Sequence, residues 1–333
     1  MTFPLRLQAP CLGPGSPAQL ALMAGREVIV QYSAAPDTGT MEKIDALARK
    51  YPSQLIFRVY GFYTGAPFDA ALLDLAPSLR RLHIDCLMTA RNLGTLAHRQ
   101  GLTELGLDVY DLKETDLLNR IDGSTLEHIR LADLKTGAFD LAPLAGFHAL
   151  KYAFFGRNAK NIEALARHPT LESLRLSPHP KRDYAFLASL PRLQSFFAIL
   201  GGTANFNSFA HDNLREFEII RVRGFDDTGD LSRFPRLETL TVEDQIRLTR
   251  IALPGSLTHL RAIRLVNCKT LAALDGIAAL PALRSLRVFR TALDLDALEA
   301  MPLPEGFEDL ALFSGRRRED DPRQQRQQSR GFG

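Results

Sequence analysis

Three stretches decide the fold: Leu237–Val242 reads LETLTV, Leu260–Leu265 reads LRAIRL and Leu283–Val288 reads LRSLRV. They begin 23 residues apart and share one frame, L-x-x-L-x-L, with Ile or Val allowed for Leu. Working outward, the frame recurs at 79, 102, 126, 171, 214 and 307, with Phe also admitted. Degenerate copies fill the gaps, one with Leu150, Ala153 and Phe155 and one with Leu193, Phe196 and Ala198. The steps stay between 21 and 24 residues. An apolar unit at such a fixed period marks a solenoid, in which each unit stacks on the next. Two weaker copies, around Val28 and Val30 and around Leu55 and Phe57, lie upstream with a step of 27. The longer step leaves room for a helix in Met41–Tyr51, with Ile44 and Leu47 on one face. The total is about thirteen units.

Within a unit the L-x-L alternation predicts a short strand with one buried face. The second half follows another rule, as in Leu187-x-x-Leu190-Pro191-x-Leu193. Apolar residues three apart suit a 3₁₀ turn or a short helix. Pro191, Pro235 and Pro281 then disfavour helical geometry at the preceding residue and stop the segment before the next strand.

Over roughly residues 25–313 this pattern resembles the leucine-rich repeat family, most closely its bacterial members. The resemblance implies an α/β solenoid of horseshoe form, with a concave parallel β-sheet and convex short helices or 3₁₀ turns. The family usually places Asn or Cys three residues after the last strand leucine, to bond the backbone of the turn. Asn158 and Cys268 fit that position, whereas Leu87, Tyr110, Leu134, His179, Gly201, Val222, Gln245 and Thr291 replace it elsewhere. Irregular turns are therefore expected. Residues 1–24, rich in Pro and Gly but containing Phe3, Leu5, Leu7, Leu20, Leu22 and Met23, are read as an N-terminal cap; residues 25–313 are the solenoid.

The net charge of +3 resides in the end of the chain. From Ser314 onward there are six arginines and three acids; removing them from 41 basic and 38 acidic residues leaves 35 of each. A neutral body with a short basic tail argues against nucleic acid as partner. Residues 314–333, Arg/Gln-rich and almost without apolar side chains, are expected to be disordered. No obvious C-terminal cap follows Phe313, so either part of the tail covers the last strand or that edge is free for a partner. No apolar run approaches 18 residues, and nothing resembles a signal peptide. Three cysteines, Cys11, Cys86 and Cys268, are odd in number and widely spaced, which suits a reducing, cytoplasmic setting.

The sequence holds no phosphate-loop, H-E-x-x-H, C-x-x-C or G-x-S-x-G motif. Neither a catalytic constellation nor a cofactor or metal site is expected. Strand alternation instead assigns an open face. Its candidate partner-binding residues are Arg130, Tyr152, Phe154, Arg175 and Phe197 in the middle, the acidic Glu216 and Glu218, and the basic Arg264 and Arg287. Arginine and aromatic side chains dominate interface hot spots. Two readings stand for Phe154 and Phe197: exposed on the sheet, or core residues of units locally out of register, since Phe155 and Phe196 adjoin them. For the charged residues the plainer reading is a solvated face with cross-strand pairing. The expectation is a non-catalytic scaffold that binds a protein partner. Alternatives are a secreted bacterial effector engaging a host protein, or an inhibitor or immunity protein for a toxin.

Overall fold

The structure, a computed structural model, describes residues 3–62 and 66–332. It divides into two compact units, Met1–Thr170 and Leu171–Gly333. In the first, the strands Leu5–Gln8, Val28–Tyr32, Leu55–Tyr60, Arg81–Leu87, Glu104–Val109, His128–Leu131 and Tyr152–Phe155 form a parallel sheet in chain order. In the second, Ser173–Leu176, Ser195–Ile199, Glu216–Ile220, Thr239–Glu243, Ala262–Val266, Ser285–Phe289 and Asp309–Phe313 do the same. Every copy of the frame, including the two weak upstream ones, has become a strand.

Register follows the leucines. Leu240 pairs with Ile263, and Ile263 with Leu286. The degenerate copies keep this register: Ala153 stands opposite Ile129, and Phe196 opposite Leu174 and Phe217. Ala153, Phe155, Phe196 and Ala198 are therefore the inward residues, each buried, and Phe154 and Phe197 point outward. Beneath the second sheet Phe196, Phe206, Phe209, Phe217 and Phe234 pack together, mostly edge to face, with ring centroids 5.1–6.1 Å apart. Large rings fill volume that the small Ala198 leaves vacant in its own repeat.

Return segments are short. The 3₁₀ turns Ala185–Ser189, Leu231–Arg233 and Ile277–Ala279 each end two residues before Pro191, Pro235 or Pro281, as the proline rule predicts. The longer upstream step holds the helix Thr38–Lys50, N-capped by Asp37, whose carboxylate accepts the Thr40 N–H at 2.7 Å. Its buried face is Met41, Ile44, Asp45 and Ala48, rotated from the expected Ile44/Leu47 stripe. The rotation places Asp45 where its carboxylate accepts the Ser78 N–H at 2.7 Å.

In the second unit five of the seven sheet strands end in a left-handed residue at one repeat position: Leu200, Arg221, Asp244, Asn267 and Arg290, with φ between 50° and 63°. A non-glycine residue there costs about 1 kcal/mol. The cost is offset because its N–H donates to the last strand carbonyl of the next repeat: Leu200 to Ile220, Arg221 to Glu243, Asp244 to Val266, Asn267 to Phe289 and Arg290 to Phe313, at 2.7–3.0 Å. The expected Asn/Cys position behaves unevenly. Cys268 is buried with its thiol against the Val242 and Val266 carbonyls, and Gln245 makes the equivalent contact by donating to the Glu243 carbonyl at 2.8 Å. Asn158 does not take the role: it is exposed, and Ala159 is buried beside it. The Asp133 carboxylate accepts the Asn158 N–H at 2.9 Å and draws that turn outward.

At the N-terminus, Leu5–Gln8 pairs with Val28–Tyr32, and the helix Pro17–Met23 buries Ala18, Ala21 and Leu22. Phe3, Leu20 and Met23 stay exposed. Met1 and Thr2 lie outside the described residues.

The expectation of a disordered tail over 314–333 is corrected: Arg317–Ser329 is a helix lying on the last strand; Gly333 lies outside the described residues. Low apolar content was a poor guide, because the attachment is polar. Buried Arg323 donates to Asp296 at 2.7 Å and lies 3.6 Å from Glu299, and Arg326 reaches Glu299 at 2.7 Å. The Gln327 side-chain amide donates to the Leu310 carbonyl at 3.0 Å and accepts the Leu312 N–H at 3.3 Å, once its O and N are set by their neighbours. One side chain thus occupies edge-strand groups that another strand would otherwise pair. Asp320 accepts the N–H groups of Ser314 and Gly315 at 2.7 and 2.9 Å, fixing the turn into the helix. Arg323→Ala leaves Glu299 buried with one cation fewer, a loss of about 3 kcal/mol. The expected outcome is faster amide hydrogen exchange at Leu310–Phe313 with exchange in Ala262–Val266 unchanged. Equal protection of both strands in the variant would show that these ion pairs do not hold the helix.

Candidate functional face of the sheets

Outward residues of a parallel sheet stand in rows, one strand spacing apart, because register fixes every side chain. In the second unit this places Arg175 over the Phe197 ring, 4.5 Å from its centroid. Phe197 remains only 9% exposed although it points away from the core. The next strand adds Glu216 and Glu218. Ser195 donates to Glu216 at 2.9 Å. Burial pushes the Glu218 carboxyl upward in pKa, helped by Glu243 and Glu216 and opposed by Arg175 and Arg264. The basic stretch is paired across strands: Arg264 with Glu243 at 2.8 Å, Arg287 with Asp309 at 2.6 Å. Both arginines stay substantially exposed, so these pairs fix orientation more than they add stability.

In the first unit Arg130 lies 5.5 Å from the Phe154 centroid. His128 stacks on Tyr152 at 4.5 Å, with Tyr152 43% exposed. Burial lowers the His128 pKa, with Glu104 opposing, so the ring is neutral at pH 7. Each expected residue therefore lies on an outward face. The structure joins them as the pairs Arg130–Phe154 and Arg175–Phe197, with His128 added to Tyr152.

Sequence reasoning did not single out the polar cluster on the first sheet. Arg81 bridges Glu27 and Glu104 at 2.6 and 2.7 Å, and the His83 Nε2 lies 2.6 Å from Glu104. Arg58 pairs with Asp85 at 2.6 Å and donates to Gln31 at 3.0 Å. The usable signal was register: Tyr60 stands opposite Asp85, which brings Arg58 within reach. Asp85, Cys86 and Asp108 bring their ligand atoms within 4.8 Å of one another. Arg58 already supplies the positive charge that Asp85 needs. Burial, then Asp85 and Asp108, push the Cys86 thiol up to about 11. It stays protonated near neutrality and is a poor nucleophile. Cys268 is also held at about 11, chiefly by burial.

No protein-family model matches the chain, and no curated protein matches it. Solved structures do. An internalin from Listeria monocytogenes is 16% identical over 83% of this chain and 78% of its own, with a TM-score of 0.45. A leucine-rich repeat protein of Leptospira interrogans is 14% identical over 96% and 98%, with a TM-score of 0.41. The functional domain of another Listeria monocytogenes internalin, which includes a cysteine ladder, is 15% identical over 84% and 70%, with a TM-score of 0.42. The leucine-rich repeat fold is established within this chain itself, by its period, its parallel register and its proline-stopped return segments. Among the described residues no helix is long and apolar enough to cross a membrane.

Glu104 gives the first sheet a pH signature. Burial alone would raise its pKa, but the His83 hydrogen bond and the Arg81 charge outweigh it and bring the value down to about 2. The folded pKa lies below the unfolded one, so the contribution is present above about pH 4.5 and is lost as pH falls toward 2. Glu104→Gln should cost on the order of 2 kcal/mol at pH 7. Urea unfolding at pH 7 and pH 2.5 checks this: the gap between variant and wild type should close at the lower pH. A gap that persists would assign the effect to packing.

Proposed function

We propose that this chain is a non-catalytic protein-binding scaffold whose outward sheet faces engage a partner protein. The observation that supports this most directly is the set of aromatic rings on otherwise polar faces, covered by arginines. Tyr152 is 43% exposed, and Phe154 and Phe197 lie under Arg130 and Arg175. An arginine that lifts from a ring on binding leaves a flat apolar surface and a free planar donor group at one place. Those are the two components of an interface hot spot. The rows are carried on hydrogen-bonded strands, so little order must be gained on association. Glu216 and Glu218 beside Arg175, with Arg264 and Arg287 further along, give the second face alternating charge that would orient a partner. A cytoplasmic setting fits the separate, free cysteines.

The test is affinity capture from the native lysate with wild type beside the double variant Arg175→Glu, Phe197→Ala. Both positions lie outward, so the variant should retain the wild-type circular dichroism spectrum. A protein captured by wild type and depleted at least about tenfold by the variant is the expected result. Identical captures would sink the assignment of this face.

A further inference from the structure

The last residue of six consecutive strands in the second unit also points outward, and together these residues form a row apart from the arginine-covered rings. Parallel register puts Ile199 opposite Ile220, Ile220 opposite Glu243, Glu243 opposite Val266, Val266 opposite Phe289 and Phe289 opposite Phe313. All are half-buried, and all but Glu243 are apolar. The charge of Glu243 is answered by Arg264 at 2.8 Å, so it interrupts the stripe without leaving a free carboxylate there. The core is already supplied by the inward residues of the same strands. This row is therefore apolar surface, beside a neighbouring row that carries Glu218, Thr241, Arg264 and Arg287. A continuous apolar stripe with a polar rim marks an interaction site.

The spacing of the row selects its occupant. Neighbouring strands lie about 4.8 Å apart, so the row runs for about 24 Å from Ile199 to Phe313. An α-helix laid along it returns a side chain once per turn, about every 5.4 Å, and drifts by only about 3 Å over that length. An extended strand returns one every second residue, about every 6.8 Å, and slips by about two positions of the row. Charge beside the row changes sign along it. Glu218 shares a strand with Ile220, whereas Arg264 and Arg287 share strands with Val266 and Phe289. The side chains of Arg264 and Arg287 are 48% and 61% exposed, and their pairs with Glu243 and Asp309 cost little to rearrange at such exposure. A second copy of this chain does not supply the occupant. Among the described residues its longest helices are Thr38–Lys50 and Arg317–Ser329, of 13 residues each; the first buries its apolar face and the second has almost no apolar side chain.

We propose that this row binds an amphipathic α-helix of a partner protein, about four turns long, with its apolar stripe along Ile199, Ile220, Val266, Phe289 and Phe313 and acidic side chains against Arg264 and Arg287. The proposal rests on the reading of the second face as a protein-binding surface and names the form of the partner. Helix-in-groove recognition uses apolar anchors at this spacing, and the change of sign beside the row fixes which end of the helix lies where.

The experiment titrates the full chain with two fluorescein-labelled peptides of about 17 residues and one composition, Ala, Leu, Glu and Lys. In the first, leucines recur at alternating steps of three and four residues, with Glu flanking them in one half and Lys in the other. In the second, leucines alternate with the other residues in a strand pattern. Anisotropy follows binding, and circular dichroism follows the helix. The first peptide should bind one to one, gain helical signal and bind at least about tenfold tighter than the second. Val266→Ser with Phe289→Ser should weaken it about tenfold or more. If that variant does not keep the wild-type melting temperature, Arg264→Ala with Arg287→Ala decides: it should weaken the first peptide about threefold or more and leave unchanged a version with Gln for Glu. No binding of the first peptide up to about 1 mM, equal or tighter binding of the second, or unchanged affinity in a folded variant would overturn the proposal. Lysate capture separates its failure from that of the scaffold reading. A protein lost by Arg175→Glu, Phe197→Ala but kept undiminished by Val266→Ser, Phe289→Ser would leave the scaffold standing and overturn the helix site.

Discussion

Parallel pairing between one repeat and the next is the constraint on which this structure rests. A single L-x-x-L-x-L unit offers a strand of four to seven residues and one apolar stripe, too little to bury itself. Its main-chain groups and its leucines are satisfied together, by the same neighbour. The left-handed residues after the strands show how far this reaches. Leu200, Arg221 and Arg290 accept a backbone conformation that glycine would adopt more readily, because the ladder supplies a carbonyl for each of their N–H groups. Turn geometry here is imposed by the stack and only weakly by the turn residue.

That explains which parts of the fold were legible in the sequence. Spacing alone placed the strands, since the leucine period and the strand register are one property seen twice. It also carried the degenerate copies: Ala153 and Ala198 sit inward although neither is a large apolar residue, because their neighbours fix them. Individual side chains were less legible wherever a polar group replaced an apolar one. Asn158 matches the family position by count, yet the Asp133 carboxylate, 25 residues earlier, takes its N–H and moves the turn. The outward direction of Phe154 and Phe197 could not be read from two adjacent phenylalanines, because hydrophobicity gives both the same preference. Register decided it.

The tail is the clearest case of a rule applied in the wrong setting. A segment with few apolar residues cannot form a core, but covering an edge strand does not require one. The exposed requirement of the last strand is for hydrogen bonds, and Gln327 provides a donor and an acceptor on one planar group. Arg323 and Arg326 then supply charge to Asp296 and Glu299, which are carried by the last short helix, Leu295–Ala300. The positive charge that in the sequence looked like an electrostatic tail is in large part committed internally, which weakens the nucleic-acid reading further than composition could.

The same logic separates the fully engaged polar groups on the sheets from the loosely held ones. Arg58, Arg81 and Glu104 are half-buried or deeper, and each has two or more partners. Groups so fully engaged hold strands in place and have little left for another molecule. Arg130 and Arg175 instead lie exposed over aromatic rings, a contact worth about 0.5–1 kcal/mol at an exposed site. A contact that weak can be exchanged for a partner's carboxylate or backbone at small cost. Within the first unit, the loosely held Arg130 over Phe154 and the fully engaged Arg58, Arg81 and Glu104 differ in this way, and in the second unit Arg175 over Phe197 is of the loosely held kind.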